Sequence, residues 1–332
     1  MIVAKDVIDD QGRVLITAGT LLKQEIIKLL SNHNIFSIWV ADYGYSNREI
    51  AAVQSLVNTS TRLKLIYSIQ NTFYGQGKTA AHLLKLQQSV EDVVEELSKR
   101  DELLIYLNDI SLKSDYLFIH SVNVGLFAIA IGMAMELPRE DIGMLGMGAL
   151  LHDFGKTRIA RAVLDKQGPL SLEEFRIVKQ HAAVGYNILK SEPLIDHRVT
   201  LVALQHHERP DGQGYPWGVK QDSIHLFARI TAVADVYDAL TTDRAYRPKI
   251  APHQAVEIIC QGSGTQFDCA VVRALNKVAV PYQIGSAVKL SNGQCGAIVR
   301  LNTSDLSKPI VCTAKGSLNL LVEDDITITG VL

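Results

Sequence analysis

The stretch HHERPDGQGYP, residues 206–216, sets two adjacent histidines at the point where glycine and proline end regular structure. Consecutive side chains on a helix diverge by about 100°. Both imidazoles therefore serve one purpose only if something lies between them and is approached from two angles. Working outward, His181 and then His152 with Asp153 and His120 precede the pair, and Asp235 follows it. Each step is roughly 25 to 32 residues, about one helix, a turn and part of a returning helix. A helical bundle with that spacing brings all of these side chains to one interior level. A lone histidine on an apolar helix is usually a core residue with one hydrogen-bond partner. Five histidines and two aspartates in or beside apolar segments, each costing about 1–3 kcal/mol if left unpaired, point instead to a metal centre.

His152 and Asp153 sharpen that reading. Two consecutive ligands near a helix end can approach one ion, and the second oxygen of the carboxylate can bridge to another. A bridging carboxylate implies two metals about 3.5–4 Å apart, an arrangement suited to in-line displacement at phosphorus. The bare His-Asp pair is common by chance. Its continuation HDFGK, 152–156, is more informative: Gly155 relaxes the backbone and Lys156 sets a cation near the metals, where a phosphate oxygen could use it.

Composition bounds the rest. A chain of 332 residues, 47% hydrophobic and 20% charged, has room for two or three domains and at least one sizeable core. A net charge of -2 without a long basic run argues against a protein that coats nucleic acid polymers or an anionic membrane. Cys260, Cys269, Cys295 and Cys312 show no CxxC spacing, and the N-terminus carries no signal-like segment, so reduced thiols and a cytoplasmic location are expected. The apolar runs VGLFAIAIGMAM (124–135) and IGMLGMGALL (142–151) are too short to span a bilayer and read as buried helices.

Four segments follow along the chain. Residues 1–48 mix short β-rich runs with the helical stretch LLKQEIIKLLSNHN around an Asp9-Asp10-Gln11-Gly12 turn, a small N-terminal α/β module. Residues 49–104 read as a helical connector with a surface for homodimerisation. Residues 105–280 form an all-α domain, in which Pro138 opens one helix and Ser171 with Glu174 forms a capping-box pattern before FRIVKQHAAVGYNILK. From 281 to 332 alternating segments, SAVKL, CGAIVRL, PIVCTA and SLNLLVED, with a SNGQ turn, predict a small C-terminal β-rich appendage. The expected fold class is thus mainly α.

Taken in order, HDFGK at 152, His181, HHERPDGQGYP at 206 and ADVYDALTTDRAYRP at 234 resemble the HD-GYP family, a branch of the HD metal-dependent phosphohydrolases, over roughly residues 105–280. The resemblance implies an HD-type helical bundle and hydrolysis of the bacterial signalling molecule cyclic di-GMP to pGpG, with GMP as a further product. It implies a centre of two or three divalent ions, iron or manganese, with zinc or nickel also compatible with the donors. His120, His152, Asp153 and Asp235 would hold one ion and His181, His206 and His207 the other, with Asp153 bridging. Asp153 and Lys156 would be catalytic. Lys156, Gly214, Tyr215, Pro216, Arg244 and Arg247 would meet the substrate, the arginines through forked phosphate contacts.

The chain departs from the family pattern at several places. Some members carry a glutamate four residues before the first ligand histidine, where it helps hold a third metal; Tyr116 stands there, which favours two ions. Ala182 follows His181 where proline is frequent, and Ile159-Ala160 replaces an Ile-Pro. Glu208 and Asp211 stand outside the catalytic set, Asp211 before Gly212 being an ordinary turn. No role is assigned to His33, His82, His197, His225 or His253. Competing expectations are the same centre acting on another cyclic dinucleotide, and a non-catalytic receptor that binds the nucleotide or a signalling protein partner.

Overall fold

The computed structural model describes residues 2–3, 7–8, 14–17, 20–32, 40–41, 56–75, 79–100, 103–105, 116–164, 166, 168–243 and 248–332. The chain divides into two compact units, residues 1–55 with 108–115, and residues 56–107 with 116–332.

In the first unit, β1 (Ile2–Val3) pairs antiparallel with β4 (Val40–Ala41), and β2 (Val7–Ile8) with β3 (Val14–Ile16). The helix α1 (Gln24–Asn32) lies between β3 and β4 in sequence. Val3, Val7, Ile16 and Leu30 form its small core. The Asp9-Asp10-Gln11-Gly12 turn lies outside the described residues.

The second unit opens with α2 (Thr59–Tyr74) and α3 (Thr79–Ser98). Asn58 caps α2 by accepting from the Thr61 amide, and its own amides donate to Glu96 at 2.6 and 2.7 Å. With Ser68 also 2.8 Å from Ser89, the two helices run antiparallel. The two helices in the stretch read as a connector also pack against the helices that follow it.

Next come α4 (Tyr116–Ala134) and α5 (Arg139–Leu151). Helix α4 is apolar on every side because it is the central helix, touched by α2, α3, α5 and two later helices. It is long and apolar enough to cross a membrane by length and composition, yet most of it is buried inside the bundle. Leu126, Ile129 and Ile131 of α4 and Leu145 and Leu150 of α5 are fully buried, each stabilising the fold by about 1.5–3 kcal/mol.

A 3₁₀ turn (Phe154–Arg158) follows α5, then the short α6 (Arg161–Leu164). The segment read from the sequence as one helix after Ser171 is two, α7 (Leu172–Lys179) and α8 (His181–Lys190). The break falls at Gln180, whose amide donates to Ile177 in a 3₁₀ turn, while the Ser171–Glu174 capping box is present. The remaining helices are α9 (His197–Gln205), α10 (Leu226–Thr241), α11 (Pro252–Gln261) and α12 (Cys269–Val278).

The C-terminal appendage is one antiparallel sheet in the order β8-β7-β6-β5-β9, built from β5 (Ala287–Leu290), β6 (Cys295–Arg300), β7 (Ile310–Thr313), β8 (Gly316–Asn319) and β9 (Ile328–Val331). Val288, Leu290, Ile298, Val311 and Leu320 make its core. The SNGQ turn joins β5 to β6, with Gly293 at a φ of 82°. Strand β9 lies beyond the segments read from the sequence; its pairing with β5 is a long-range contact that local alternation does not announce.

Candidate metal centre

Five helices, two of them through their C-terminal ends, converge on one buried point. His120 comes from α4, His152 and Asp153 from the end of α5, His181 from the first residue of α8, His206 and His207 from the end of α9, and Asp235 from the middle of α10. Among the described residues two groups have donor atoms close enough to share an ion: His120, His152 and Asp153, and His181, His206 and His207. Asp153 lies between them. Its Oδ2 is 3.3 Å from His152 Nε2 and 3.8 Å from His120 Nε2, and its Oδ1 is 3.3 Å from His181 Nε2 and 3.9 Å from His206 Nε2. Asp235 joins the first group, with Oδ1 3.1 Å from His120 Nε2.

The backbone dictates which imidazole nitrogens face inward. His152 Nδ1 donates to the Ala149 carbonyl at 2.7 Å, His181 Nδ1 to Val178 at 2.6 Å, and His206 Nδ1 to Val202 and Ala203 at 3.0 and 3.1 Å. A carbonyl only accepts, so these Nδ1 atoms carry the hydrogen and each Nε2 of a neutral ring presents a lone pair. His181 Nε2 and His206 Nε2 then face one another at 3.2 Å as two acceptors. His152 Nε2 and Asp153 Oδ1 are buried without a hydrogen-bond partner. Facing lone pairs and an orphaned carboxylate oxygen are what a site shaped for cations requires, and the donor set of imidazole and carboxylate suits first-row divalent metals.

The electrostatics differ between the two groups. Burial pushes the pKa of His181 down, that of His206 far down, and that of His207 to about 3, so these rings are neutral and ready to ligate. Burial acts against charge on His120 too, but its hydrogen bonds to Asp235 and Asp238 outweigh it and raise the pKa to about 9. Burial would raise the pKa of Asp153; the nearby His152 and Lys156 overcome it and hold the carboxyl well below the usual range. Asp235 is likewise held low, by His120 against the effect of burial. Lys156 Nζ donates to Asp153 Oδ2 at 2.5 Å and keeps a partly exposed ammonium at the edge of the centre.

Gly155 does not sit at positive φ, so relaxing the backbone is not its part. A Cβ there would come within 2.0 Å of the His181 carbonyl oxygen, and its absence lets the HDFGK turn lie against the start of α8. Gly214 is similar: a Cβ would fall 2.5 Å from the Arg209 nitrogen and the Glu208 Cα. This close approach folds the 206–216 loop back on itself. Tyr215, whose amide donates to the His207 carbonyl, stacks on the His207 ring at 4.6 Å between centroids, with Pro216 following it. Burial, with Asp153 and Asp235 nearby, raises the Tyr215 phenol and keeps it protonated.

Several residues that shape the centre are outside the set named from the sequence. Asp238 Oδ2 accepts from His120 Nδ1 at 2.7 Å, and Asn123 Nδ2 donates to Asp238 Oδ1 at 2.7 Å. The signal was present as spacing: Asn123 and Asp238 stand three residues after His120 and Asp235, on the same helix faces. Glu208, 3% exposed, accepts from the amides of Trp217 and Gly218 at 2.8 and 3.2 Å and of Val219 at 3.1 Å, which ties down the far side of the loop. Asp211 pairs with Arg209 and accepts from the Gln213 amide, as a turn residue does. Arg244 and Arg247 lie outside the described residues, as does the side chain of Tyr116.

A model of the HD domain family matches residues 82–271, which include all seven converging side chains. A cyclic di-GMP phosphodiesterase of Pseudomonas aeruginosa is 32% identical over 257 residues, 77% of this chain and 61% of that protein. A 3'3'-cGAMP-specific phosphodiesterase of Vibrio cholerae is 37% identical over 169 residues, 51% of this chain and 36% of that protein. The chain thus spans less than two thirds of the length of either relative. A solved HDG"Y"P protein from Bdellovibrio bacteriovorus overlays with a TM-score of 0.56 at 16% identity, covering 83% of this chain and 92% of that one, and shares its fold. On the family match and the HDFGK and HHERPDGQGYP segments, this chain belongs to the HD domain family, in its HD-GYP branch.

Proposed function

We propose that the chain is a two-metal phosphodiesterase that hydrolyses cyclic di-GMP to linear pGpG, with GMP as the further cleavage product. The observation that carries this reading is the buried Asp153 carboxylate with one oxygen toward each histidine group. HD-domain membership implies divalent-metal binding. The assignment to iron or manganese, and to two ions, is part of the proposal. When bound, the ions supply positive charge that lowers the pKa of a coordinated water and stabilises charge building at phosphorus.

The chain's own residues do the rest. His120, His152, Asp153 and Asp235 would hold one ion and His181, His206 and His207 the other, with Asp153 common to both. Lys156, fixed by Asp153, offers its ammonium to a phosphate oxygen and adds to the charge stabilisation there. Tyr215 on His207 forms a wall beside the ligands, and Gly214 and Pro216 shape the loop that carries it. Arg244 and Arg247 are assigned to the substrate phosphates by resemblance. Homodimerisation through residues 49–104 belongs to the same proposal, and light scattering on the purified protein tests it.

A second reading follows from the Vibrio relative named for 3'3'-cGAMP: the same centre acting on that mixed dinucleotide. Metal-loaded protein assayed against cyclic di-GMP, 3'3'-cGAMP and cyclic di-AMP separates the two. Fastest turnover of cyclic di-GMP supports the first, and turnover of cGAMP alone replaces it with the second. Nucleotide binding without turnover of any of the three, in protein that holds two ions, would leave a receptor.

A further inference from the structure

Helix α2 carries an arginine inside its buried stripe. The buried positions Arg62, Leu65, Ile66, Ile69 and Phe73 recur at spacings of three and four residues, and Arg62 is only 3% exposed. A guanidinium there is costly unless the core answers its charge and its hydrogens. Its Nη2 donates to Asn123 Oδ1. Asn123 Nδ2 donates to Asp238 Oδ1 at 2.7 Å, and Asp238 Oδ2 accepts from His120 Nδ1 at 2.7 Å. All four side chains are buried, and they come from three helices, α2, α4 and α10.

The chemistry of the groups fixes the direction of every bond in this chain. A guanidinium only donates, so it takes the amide oxygen of Asn123. The amide nitrogen is then turned to Asp238, whose carboxylate only accepts. Asp238 in turn accepts the Nδ1 hydrogen of His120, which leaves His120 Nε2 to face Asp153 and Asp235. If the Asn123 amide turned over, its oxygen would oppose a carboxylate oxygen inside the core. Thr242, which donates to Asp238 Oδ1 at 3.1 Å, would then be the remaining donor seen on that atom.

We propose that Arg62 is a positioning residue for the first metal site: by fixing the Asn123 amide it holds Asp238 and His120 in the arrangement that presents His120 Nε2 to the ion. The inference rests on reading His120, His152, Asp153 and Asp235 as a metal site, and is independent of the substrate. Arg62 stands outside residues 82–271, the span of the family match, so a helix beyond that span sets the geometry of a ligand within it. Outer partners that orient a ligating histidine are typically worth about 10- to 100-fold in metal affinity.

The test uses the full chain loaded with Mn²⁺, with metal content from elemental analysis and affinity from chelator competition. Arg62→Met and Asn123→Leu should each weaken one of the two ions about tenfold or more while the other keeps its affinity. Arg62→Lys, which can donate to the same amide oxygen, should recover part of the loss. The double variant Arg62→Met/Asn123→Leu should bind no worse than Asn123→Leu alone, because both changes break one chain. Ile69→Ala, a cavity in the same buried stripe, should lower the melting temperature and leave both metal affinities unchanged.

Two ions held by Arg62→Met with wild-type affinity, or losses that add in the double variant, would overturn the proposal. If Arg62→Met does not fold, Asn123→Leu decides: folded protein with unaltered affinity for both ions refutes the chain. Wild-type protein that takes up no Mn²⁺ sinks the metal reading and this inference together. Wild-type protein that holds two ions but turns over no cyclic dinucleotide sinks the substrate assignment alone.

Discussion

His181 Nε2 lies 3.3 Å from Oδ1 of Asp153, the oxygen turned away from His152, so one carboxylate faces two separate groups of imidazoles. Removing it should disturb both groups, whereas removing a histidine should disturb one. Asp153→Ala is expected to lose both proposed ions and to lower the proposed phosphodiesterase activity by at least about 1,000-fold. His206→Ala should keep the ion held by the His120 group. Elemental analysis beside turnover of cyclic di-GMP checks both, and an Asp153→Ala protein with full metal content would show that the carboxylate is not shared.

Glu208 holds the loop rather than the ions. Its two oxygens accept from three consecutive amides, Trp217 to Val219, just after the Tyr215-Pro216 pair. Glu208→Ala would leave those donors without their acceptor, at a cost of about 1–3 kcal/mol in stability. Steady-state kinetics should show KM for the dinucleotide rising several-fold while metal content stays at two ions. A variant with wild-type KM would mean that the loop is held by other contacts.

The close approach at Gly155 is a packing requirement. With the His181 carbonyl 2.0 Å from where a Cβ would stand, Gly155→Ala must push the HDFGK turn and the start of α8 apart. The expected cost is about 1–3 kcal/mol, with weakened occupancy of the ion proposed for His181, His206 and His207. Thermal unfolding and metal analysis measure the two effects. An unchanged melting temperature would argue that α8 can shift freely.

Acid stability should depend on a residue far from the candidate ligands in sequence. Asp268 caps α12 by accepting from the Ala270 and Val271 amides, and also accepts from Gln221 and Arg229. Burial alone would raise its pKa, but these donors outweigh it and hold the group below its ordinary value of 3.8. The unfolded chain therefore takes up the proton first. The stabilisation is present above pH 3.8 and is lost as pH falls through the lower, folded-state pKa. Asp268→Asn should cost about 1–3 kcal/mol at neutral pH and flatten the acid side of the stability curve. Urea unfolding across the acid range reads this directly.

Much of the architecture was legible in the chain because its causes are local. The apolar periodicity of 115–280, the Pro138 start and the Ser171–Glu174 box are short-range signals, and each marks a helix start or a helical segment of the structure. The alternation after 281 and the SNGQ turn are equally local. The histidines and acids were legible as a group for a different reason. Side chains so polar, recurring about once per helix in apolar surroundings, have to meet one another.

The wiring behind them is set by packing. Nothing near residue 62 says that an arginine in an apolar stripe will reach Asn123, or that Asn123 will turn its amide to Asp238. Nor does the sequence around Glu208 reveal that its carboxylate will receive the amides of residues 217–219. Periodicity and capping depend on residues two to four apart, so most helices, four of the five C-terminal strands and the candidate ligands could be read from the chain, but neither the break at Gln180 nor strand β9. The direction of a buried hydrogen bond depends on which groups are brought opposite one another, and only the packed bundle sets that.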